Sequence, residues 1–161
     1  MATITQSVEA SVQVKKQYVT FSIGEEMYGV DVIRAQEVLN MISITHVPNT
    51  MPFMKGVIDL RGKIVPLIDM RIKFRLDEKE YDQNTVIIIV EVRGLLVGLI
   101  VDSVSDVINM TVDDIQNTPH FSVEIDKDAV IGISRHSDKL VIILDVDKIL
   151  TVAELDSIKR H

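Results

Sequence analysis

The first half of the chain contains a series of motifs that recurs in the second half, and this internal repeat constrains the fold more than any other feature. Residues 29–41 align with residues 98–110, and the identical positions include Gly29 and Gly98, Val38 and Val107, Asn40 and Asn109, and Met41 and Met110. A slightly longer offset aligns four more identities: Gly56 and Gly132, Lys63 and Lys139, Val65 and Val141, Asp69 and Asp145. Two copies of a small β unit explain this pattern better than one large sheet.

Segments that alternate in polarity or are rich in β-branched residues predict the strands of each unit. They cover residues 18–23, 27–32, 55–60, 63–68, 85–92, 95–101, 129–133 and 139–144. Tight turns join them in pairs, and residues 85–92 are too apolar to face water on either side. Pro66 lacks a backbone donor, so we expect its strand to be an edge strand or to be bulged there.

The predicted helices are short. Residues 33–39 and 103–108 predict two helices of at most two turns, and residues 145–159 predict a C-terminal helix with an apolar stripe. The polar residues 75–84 predict an exposed loop. The predicted fold class is mainly β, with two small five-stranded β-barrels of the SH3-like or OB-like kind, short helices and a C-terminal helix.

The predicted domain organisation follows from the repeat. Residues 1–16 are expected to form a flexible N-terminal segment, and residues 17–150 to contain the two β-barrel repeats, at about 17–80 and 85–150. Residues 151–161 are expected to form the end of the C-terminal helix.

The sequence shows no group of residues that would support catalysis or hold a metal ion or a cofactor. The chain has no cysteine, which excludes disulfides, thiol nucleophiles and cysteine-based zinc sites. Its histidines, His46, His120, His136 and His161, do not stand at the spacing of metal ligands. Asp69 and Asp145 end apolar strands, where capping of the following segment explains them without catalysis. We therefore expect a protein that is not an enzyme and that uses no cofactor.

The charge and the hydropathy pattern indicate which partners to expect. Asp and Glu number 24 against 17 Lys and Arg, and the net charge of −7 disfavours nucleic acid as a partner. No export signal stands at the N-terminus, and the apolar stretch at residues 86–101 is interrupted by charged and glycine residues. We expect a cytoplasmic protein without direct membrane insertion that binds other proteins. A small-barrel module that binds single-stranded nucleic acid or a ligand is the alternative from another class.

Four blocks of sequence, in this order, resemble the CheW family of bacterial chemotaxis coupling proteins. Residues 28–38 are similar to the family block YGIDI…VQEI, and residues 52–62 to PxFIKGVxNLRG. Residues 64–74 are similar to IVPIVDLRxKF, and residues 97–107 to VGIVVDxVSDV. The resemblance covers about residues 16–150.

The resemblance implies a fold and a function. The fold would be two five-stranded β-barrel subdomains, with exchanged strands as an option and a groove between them. The function would be that of a non-catalytic adaptor that couples transmembrane chemoreceptors to the histidine kinase CheA in arrays at the membrane. The receptor's cytoplasmic tip would lie in the groove, and the kinase's regulatory domain would contact the barrel ends. An adaptor of the same fold in a non-flagellar signalling system is a second alternative.

The resemblance also implies two sets of binding residues. The receptor-binding candidates are Ala35, Glu37, Val38, Arg61, Val86, Gly98, Val104 and Val107. The kinase-binding candidates are Gly56, Val57, Asp59 and Leu60. Two positions depart from the family: Ala35 is smaller than the usual Val, and Asp59 replaces the usual Asn, which adds a charge near Arg61.

Arg61 is also a candidate from the residues alone. A tight turn exposes it, and Gly62 supplies a permissive backbone. Its guanidinium can bind a carboxylate through two parallel hydrogen bonds.

Overall fold

The computed structural model describes residues 15–116 and 127–160, which form ten strands and two α-helices. The strands are β1 (Lys16–Ile23), β2 (Glu26–Asp31), β3 (Ala35–Asn40), β4 (Met54–Leu60), β5 (Lys63–Asp69), β6 (Val86–Val92), β7 (Leu95–Val101), β8 (Ser103–Met110), β9 (Val130–His136) and β10 (Lys139–Leu144). The helices are α1 (Met70–Lys73) and α2 (Val152–Lys159), and 3₁₀ turns lie at Val112–Asp114, Lys127–Ala129 and Val146–Lys148. The prediction of a mainly β chain is confirmed.

The strands form two five-stranded sheets that exchange parts of the sequence repeats. The first sheet has the order β8-β1-β2-β10-β9, and the second has the order β3-β6-β7-β5-β4. Each repeat supplies a first hairpin (β1–β2 or β6–β7), a third strand (β3 or β8) and a second hairpin (β4–β5 or β9–β10). Each sheet therefore takes its first hairpin from one repeat and its remaining three strands from the other copy of the repeat. Neither sheet is formed by one half of the chain alone.

Short junctions explain why the third strand of each repeat leaves the sheet of its own first hairpin. Residues 32–34 alone separate β2 from β3, and Asp102 alone separates β7 from β8. In its own sheet the third strand would run parallel to the strand that precedes it, because both would be antiparallel to the first strand of the hairpin. Parallel strands need a connection of about a dozen or more residues, so the chain passes to the other sheet instead.

Each sheet is closed by a single bridge from the segment that follows its third strand. Thr45, after β3, exchanges two backbone hydrogen bonds of 2.9 Å with Val57 in β4. Gln116, after β8, exchanges two of 2.8 Å with Ile133 in β9. The matched glycines of the repeat permit these approaches: a Cβ at Gly56 would lie 2.2 Å from the Thr45 carbonyl oxygen, and one at Gly132 would lie 2.6 Å from that of Gln116.

The hydrophobic core has three parts, one between the two sheets and one inside each. The strand β6 shows the arrangement, because Ile88 and Val90 pack between the sheets while Ile87 and Ile89 pack inside the second sheet. Ile143 packs inside the first sheet. Both faces of β6 are therefore buried, as its continuous apolar sequence predicted.

Two predicted helices are strands, and this is the main correction to the sequence analysis. Residues 33–39 contain a turn followed by β3, and residues 103–108 lie in β8. Each strand forms the edge of a sheet and pairs on one side with β6 or β1. The β-branched residues Val38, Val104 and Val107 suit such strands better than helices.

The C-terminal helix is shorter than predicted. Asp145 begins the 3₁₀ turn Val146–Lys148, and α2 begins only after Thr151, whose hydroxyl accepts a hydrogen bond from the Glu154 backbone N–H at 3.1 Å. The Glu154 carboxylate in turn accepts from the Thr151 backbone N–H at 2.8 Å, which completes a capping box. This box sets the start of the helix.

Smaller predictions are confirmed or corrected in part. Residues 75–84 form a loop without regular secondary structure, as predicted. The strand of Pro66 is not an edge strand, but its pairing with β7 starts only at Leu67, and a bulge lies in its pairing with β4 near Lys55. Residues 1–14, most of the N-terminal segment predicted to be flexible, lie outside the described residues.

Candidate functional site

Arg61 stands at the tip of the hairpin between β4 and β5, in a two-residue turn. Both turn residues have left-handed backbone, with φ of +50° at Arg61 and +88° at Gly62. The Asp59 carboxylate accepts a hydrogen bond of 2.8 Å from the Gly62 backbone N–H, so the unusual acid of this block holds the turn itself. The turn lifts Arg61 away from the sheet, and its side chain is 71% exposed.

Glu37 in β3 holds the Arg61 guanidinium through a hydrogen bond and an ion pair. Arg61 Nη1 donates to Glu37 Oε2 at 3.1 Å, and the distance from Nη2 to Oε1 is 3.0 Å. This bond and the charge of Glu37 raise the pKa of Arg61 above its ordinary value. Ion pairs this exposed contribute little to stability, so the main effect of the pair is to orient the guanidinium. Sequence analysis named both residues but not their contact.

A cleft of about 290 Å³ lies beside this pair. Leu60, Ile89 and Leu96 supply its apolar lining, and Gln36 and Lys63 add polar groups next to Glu37 and Arg61. The cleft therefore combines apolar side chains with charged groups, and such a mixed surface is suited to a protein partner. We call the residues Gln36, Glu37, Leu60, Arg61, Lys63, Ile89 and Leu96 the Arg61 cleft.

Three valines predicted to form a groove are exposed on the two edge strands. The exposed fraction is 42% for Val38, 39% for Val104 and 48% for Val107. Val38 pairs with Ile88, and Val107 pairs with Val19, so both lie on the sheet face that is directed toward the core between the sheets. They are exposed because β3 and β8 are the edges of their sheets, and they are not among the lining residues of the Arg61 cleft.

Two predicted receptor-binding residues belong to the core instead. Val86 is 7% exposed and packs between the sheets. Gly98 is buried, and a Cβ there would lie 2.5 Å from Leu67 Cδ2. Ala35 is partly buried against the core between the sheets. The sequence resemblance did not indicate which of the candidate residues are exposed.

The predicted kinase-binding block is divided between core and surface. Gly56 is buried against the segment at Thr45, and Leu60 is buried at the base of the Arg61 cleft. Val57 is partly buried and Asp59 is exposed. Gly56 can therefore influence a partner only through the shape of β4.

Sequence analysis missed Ile64, which is 66% exposed in β5 directly opposite Asp59. The two-residue turn at Arg61 and Gly62 fixes this register, so the turn type and the position of Asp59 could have indicated an exposed apolar residue there. Leu140, at the equivalent position of the second repeat, is also exposed.

Asp69 and Asp145 cap the segments that follow their strands, as predicted. Asp69 Oδ1 accepts from the backbone N–H groups of Arg71 at 2.9 Å and Ile72 at 3.4 Å. Asp145 Oδ1 accepts from the backbone N–H of Asp147 at 3.0 Å. Asp69 Oδ2 also accepts a hydrogen bond of 2.8 Å from the Tyr81 hydroxyl, which ties the loop at 75–84 to the second sheet.

The partly buried phenol of Tyr81 gives an alkaline pH dependence to stability. Burial raises the pKa of Tyr81 above its ordinary value of 10.0, and the bond to Asp69 raises it further. The folded state thus holds the proton more tightly than the unfolded state, so the stabilisation is complete below pH ~10 and is lost as the pH rises above it.

We expect the free energy of unfolding of the wild-type protein to fall more between pH 8 and pH 11 than that of a Tyr81→Phe variant. Urea titrations at both pH values measure the two differences. An equal fall in the free energy of unfolding of both proteins would contradict the attribution of this pH dependence to Tyr81.

The described residues offer neither a cluster of metal ligands nor a membrane-spanning helix. Within residues 15–116 and 127–160, no cluster of three or more His, Asp or Glu side chains is arranged to hold a metal ion. In the same part of the chain, no helix has the length and apolar character needed to cross a membrane.

Comparisons with known proteins give a consistent family assignment. The model of the CheW-like domain matches residues 17–154. A chemotaxis protein CheW from Klebsiella aerogenes is 36% identical over 151 residues, which cover 94% of this chain and 91% of that protein. The chemotaxis protein CheW of Bacillus subtilis is 32% identical over 142 residues, which cover 88% of this chain and 90% of that protein.

The fold leads to the same family. The crystal structure of the scaffolding protein TtCheW from Thermoanaerobacter tengcongensis matches with a TM-score of 0.80 and 38% identity, and the match covers 88% of this chain and 91% of that chain. The resemblance found in the sequence is confirmed, and the chain belongs to the CheW-like family of chemotaxis scaffold proteins.

Proposed function

We propose that this protein couples chemoreceptors to the histidine kinase CheA, and that the Arg61 cleft and the exposed valines of β3 and β8 bind the receptor. The observation that carries the proposal is the exposed Arg61 guanidinium, oriented by Glu37 beside an apolar cleft. The site of action would be the cytoplasmic tip of the receptors, where arrays form at the membrane.

The chemistry of this surface suits a helical partner. An oriented guanidinium can bind a carboxylate or the free carbonyl groups at a helix end. Val38, Val104 and Val107 offer apolar contacts that a receptor helix can cover. We assign the contact with the kinase's regulatory domain to the exposed part of β4, with Val57 and Asp59 as its accessible residues.

Arg61→Ala is expected to weaken coupling while the fold stays intact. A hot-spot side chain supplies about 2 kcal/mol, so the concentration of this protein needed for half-maximal kinase activation should rise roughly 30-fold. The measurement is CheA autophosphorylation in a mixture of receptor signalling fragments, kinase and increasing amounts of this protein.

Arg75→Ala provides a matched control. Arg75 is another exposed arginine with left-handed backbone, at a φ of +61°, so its replacement removes the same charge from a similar conformation. Coupling should be unaffected by this control. Equal activation curves for Arg61→Ala and Arg75→Ala would contradict the proposed role of the cleft, and no kinase activation by the wild-type protein would contradict the function.

A further inference from the structure

Two ion pairs of opposite polarity join the ends of corresponding strands in the two sheets. Arg34, after β2, binds Asp147 after β10, with a shortest distance of 2.6 Å between Nη2 and Oδ1. Asp102, after β7, lies 3.4 Å from Arg71 after β5, between Oδ1 and Nε. We call these the junction pairs, since each joins a first hairpin from one repeat to a second hairpin from the other.

The correspondence between the junction pairs is set by strand register. Gly29 pairs with Ile143 in the first sheet, and its counterpart Gly98 pairs with Leu67 in the second. Arg71 and Asp147 each stand two residues after a capping aspartate, Asp69 or Asp145. Arg71 and Asp147 are therefore counterparts in the repeat, so this place holds a cation in one second hairpin and an anion in the other. Arg34 lies one residue beyond Ile33, the counterpart of Asp102.

The lengths of the connections leave one choice of pairing open. The junctions at residues 32–34 and at Asp102 are too short to let the third strands stay in their own sheets. The second hairpins are attached through longer segments, residues 41–53 before β4 and residues 111–129 before β9. Chain length alone would allow either second hairpin to join either sheet.

Charge distinguishes the two arrangements. If β4–β5 and β9–β10 changed places in the same register, Arg71 would face Arg34, and Asp147 would face Asp102. The two second hairpins share Val65 or Val141 and meet a glycine, Gly29 or Gly98, at this contact. The observed arrangement has two attractive pairs, and the alternative would have two repulsive ones.

We propose that the junction pairs determine which second hairpin each sheet accepts, and so select the strand arrangement of this fold. Both pairs are partly buried, which limits screening by solvent. The Arg34 guanidinium also donates to Glu91 O at 2.6 Å, so it is fixed at the junction and does not move freely in solvent.

Charge reversals test the proposal without changing net charge. Arg34→Asp with Asp147→Arg keeps an attractive pair in the observed arrangement but makes both contacts of the alternative attractive as well. Adding Arg71→Asp and Asp102→Arg gives a quadruple variant in which the observed arrangement is attractive and the alternative is again repulsive. The quadruple variant is the matched control, since it contains the same local changes as the double variant.

Introduced cysteines report the arrangement, because the natural chain has none. Glu26 and Leu140 line one open cleft, and Ile64 is the counterpart of Leu140 in the other second hairpin. Glu26→Cys with Leu140→Cys reports the observed arrangement, and Glu26→Cys with Ile64→Cys reports the alternative. Each protein is unfolded in denaturant, refolded by dilution and treated with a short bismaleimide, and the linked peptides are quantified by mass spectrometry.

We expect the yield of the 26–64 crosslink to be at the noise level when the junction pairs are wild type. The yield should rise at least tenfold in the double variant and return to the noise level in the quadruple variant. An unchanged 26–64 crosslink in the double variant, or an equal rise in both variants, would overturn the proposal. If the double variant does not fold, Arg71→Asp with Asp102→Arg is tested as its reciprocal. If neither double variant folds but the quadruple variant does, the result supports selection of the arrangement by charge. If none of the three variants folds, the proposal is overturned.

Discussion

Alanine in place of Gly56 is expected to lower the free energy of unfolding by about 4 kcal/mol, because left-handed strain and steric overlap act together. The backbone φ at Gly56 is +149°, which side-chain-bearing residues rarely adopt. The added Cβ would also lie 2.2 Å from the Thr45 carbonyl oxygen and 2.9 Å from its carbonyl carbon. Both atoms belong to the backbone that closes the second sheet, so neither can move aside without breaking the bridge to Val57.

Two other glycines separate the contributions to this effect. Gly62 has a φ of +88° with nothing near its Cβ position, so Gly62→Ala measures strain alone, about 1 kcal/mol. Gly132 closes the first sheet with a Cβ position 2.6 Å from Gln116 O, so Gly132→Ala measures overlap. Urea denaturation followed by circular dichroism gives all three values. If Gly56→Ala were as stable as Gly62→Ala, steric overlap with Thr45 would contribute nothing to the cost at Gly56.

This prediction affects how a binding defect at Gly56 should be interpreted. The resemblance placed Gly56 among the kinase-binding residues, but its role in the structure is to let β4 approach Thr45. Loss of kinase binding in a Gly56 variant would therefore follow from a distorted β4, next to the exposed Asp59, and would not identify a contact.

The internal repeat made the two-unit architecture predictable, because the residues that match between the repeats have the same structural role in each. Gly56 and Gly132 mark the closing bridges, and Asp69 and Asp145 mark the caps after β5 and β10. The exchange of strands was less visible, because it depends on the shortness of two junctions. Only Asp102 separates β7 from β8, and the sequence predicted a helix directly after it, at residues 103–108.

The site was predictable only in part, for a different reason. The residues of the turn were enough to predict that Arg61 is exposed. Its partner Glu37 lies in β3, and the two side chains meet only because strands distant in sequence share a sheet. The resemblance named Val86 as a receptor-binding candidate, and the structure buries it in β6, between the sheets. A resemblance transfers residue positions, whereas exposure depends on packing between sheets.

Asp69→Ala is expected to lower the free energy of unfolding by about 3 kcal/mol, through the loss of a cap and of a buried hydrogen bond. The Asp69 carboxylate is buried and accepts from two backbone N–H groups of α1 and from the Tyr81 hydroxyl. Alanine would leave all three donors without this acceptor, and the phenol of Tyr81 is itself partly buried.

The repeat supplies a matched control for this substitution. Asp145 caps the equivalent segment through one hydrogen bond, to the Asp147 backbone N–H, so Asp145→Ala should cost about 1 kcal/mol. Tyr81→Phe removes the third donor, and in that background the cost of Asp69→Ala should fall toward the value for Asp145→Ala. A double-mutant cycle of Asp69 and Tyr81 by urea denaturation measures this coupling. If the two substitutions were additive, the hydrogen bond between Asp69 and Tyr81 would contribute nothing, and the loop at 75–84 would be held to the second sheet by other contacts.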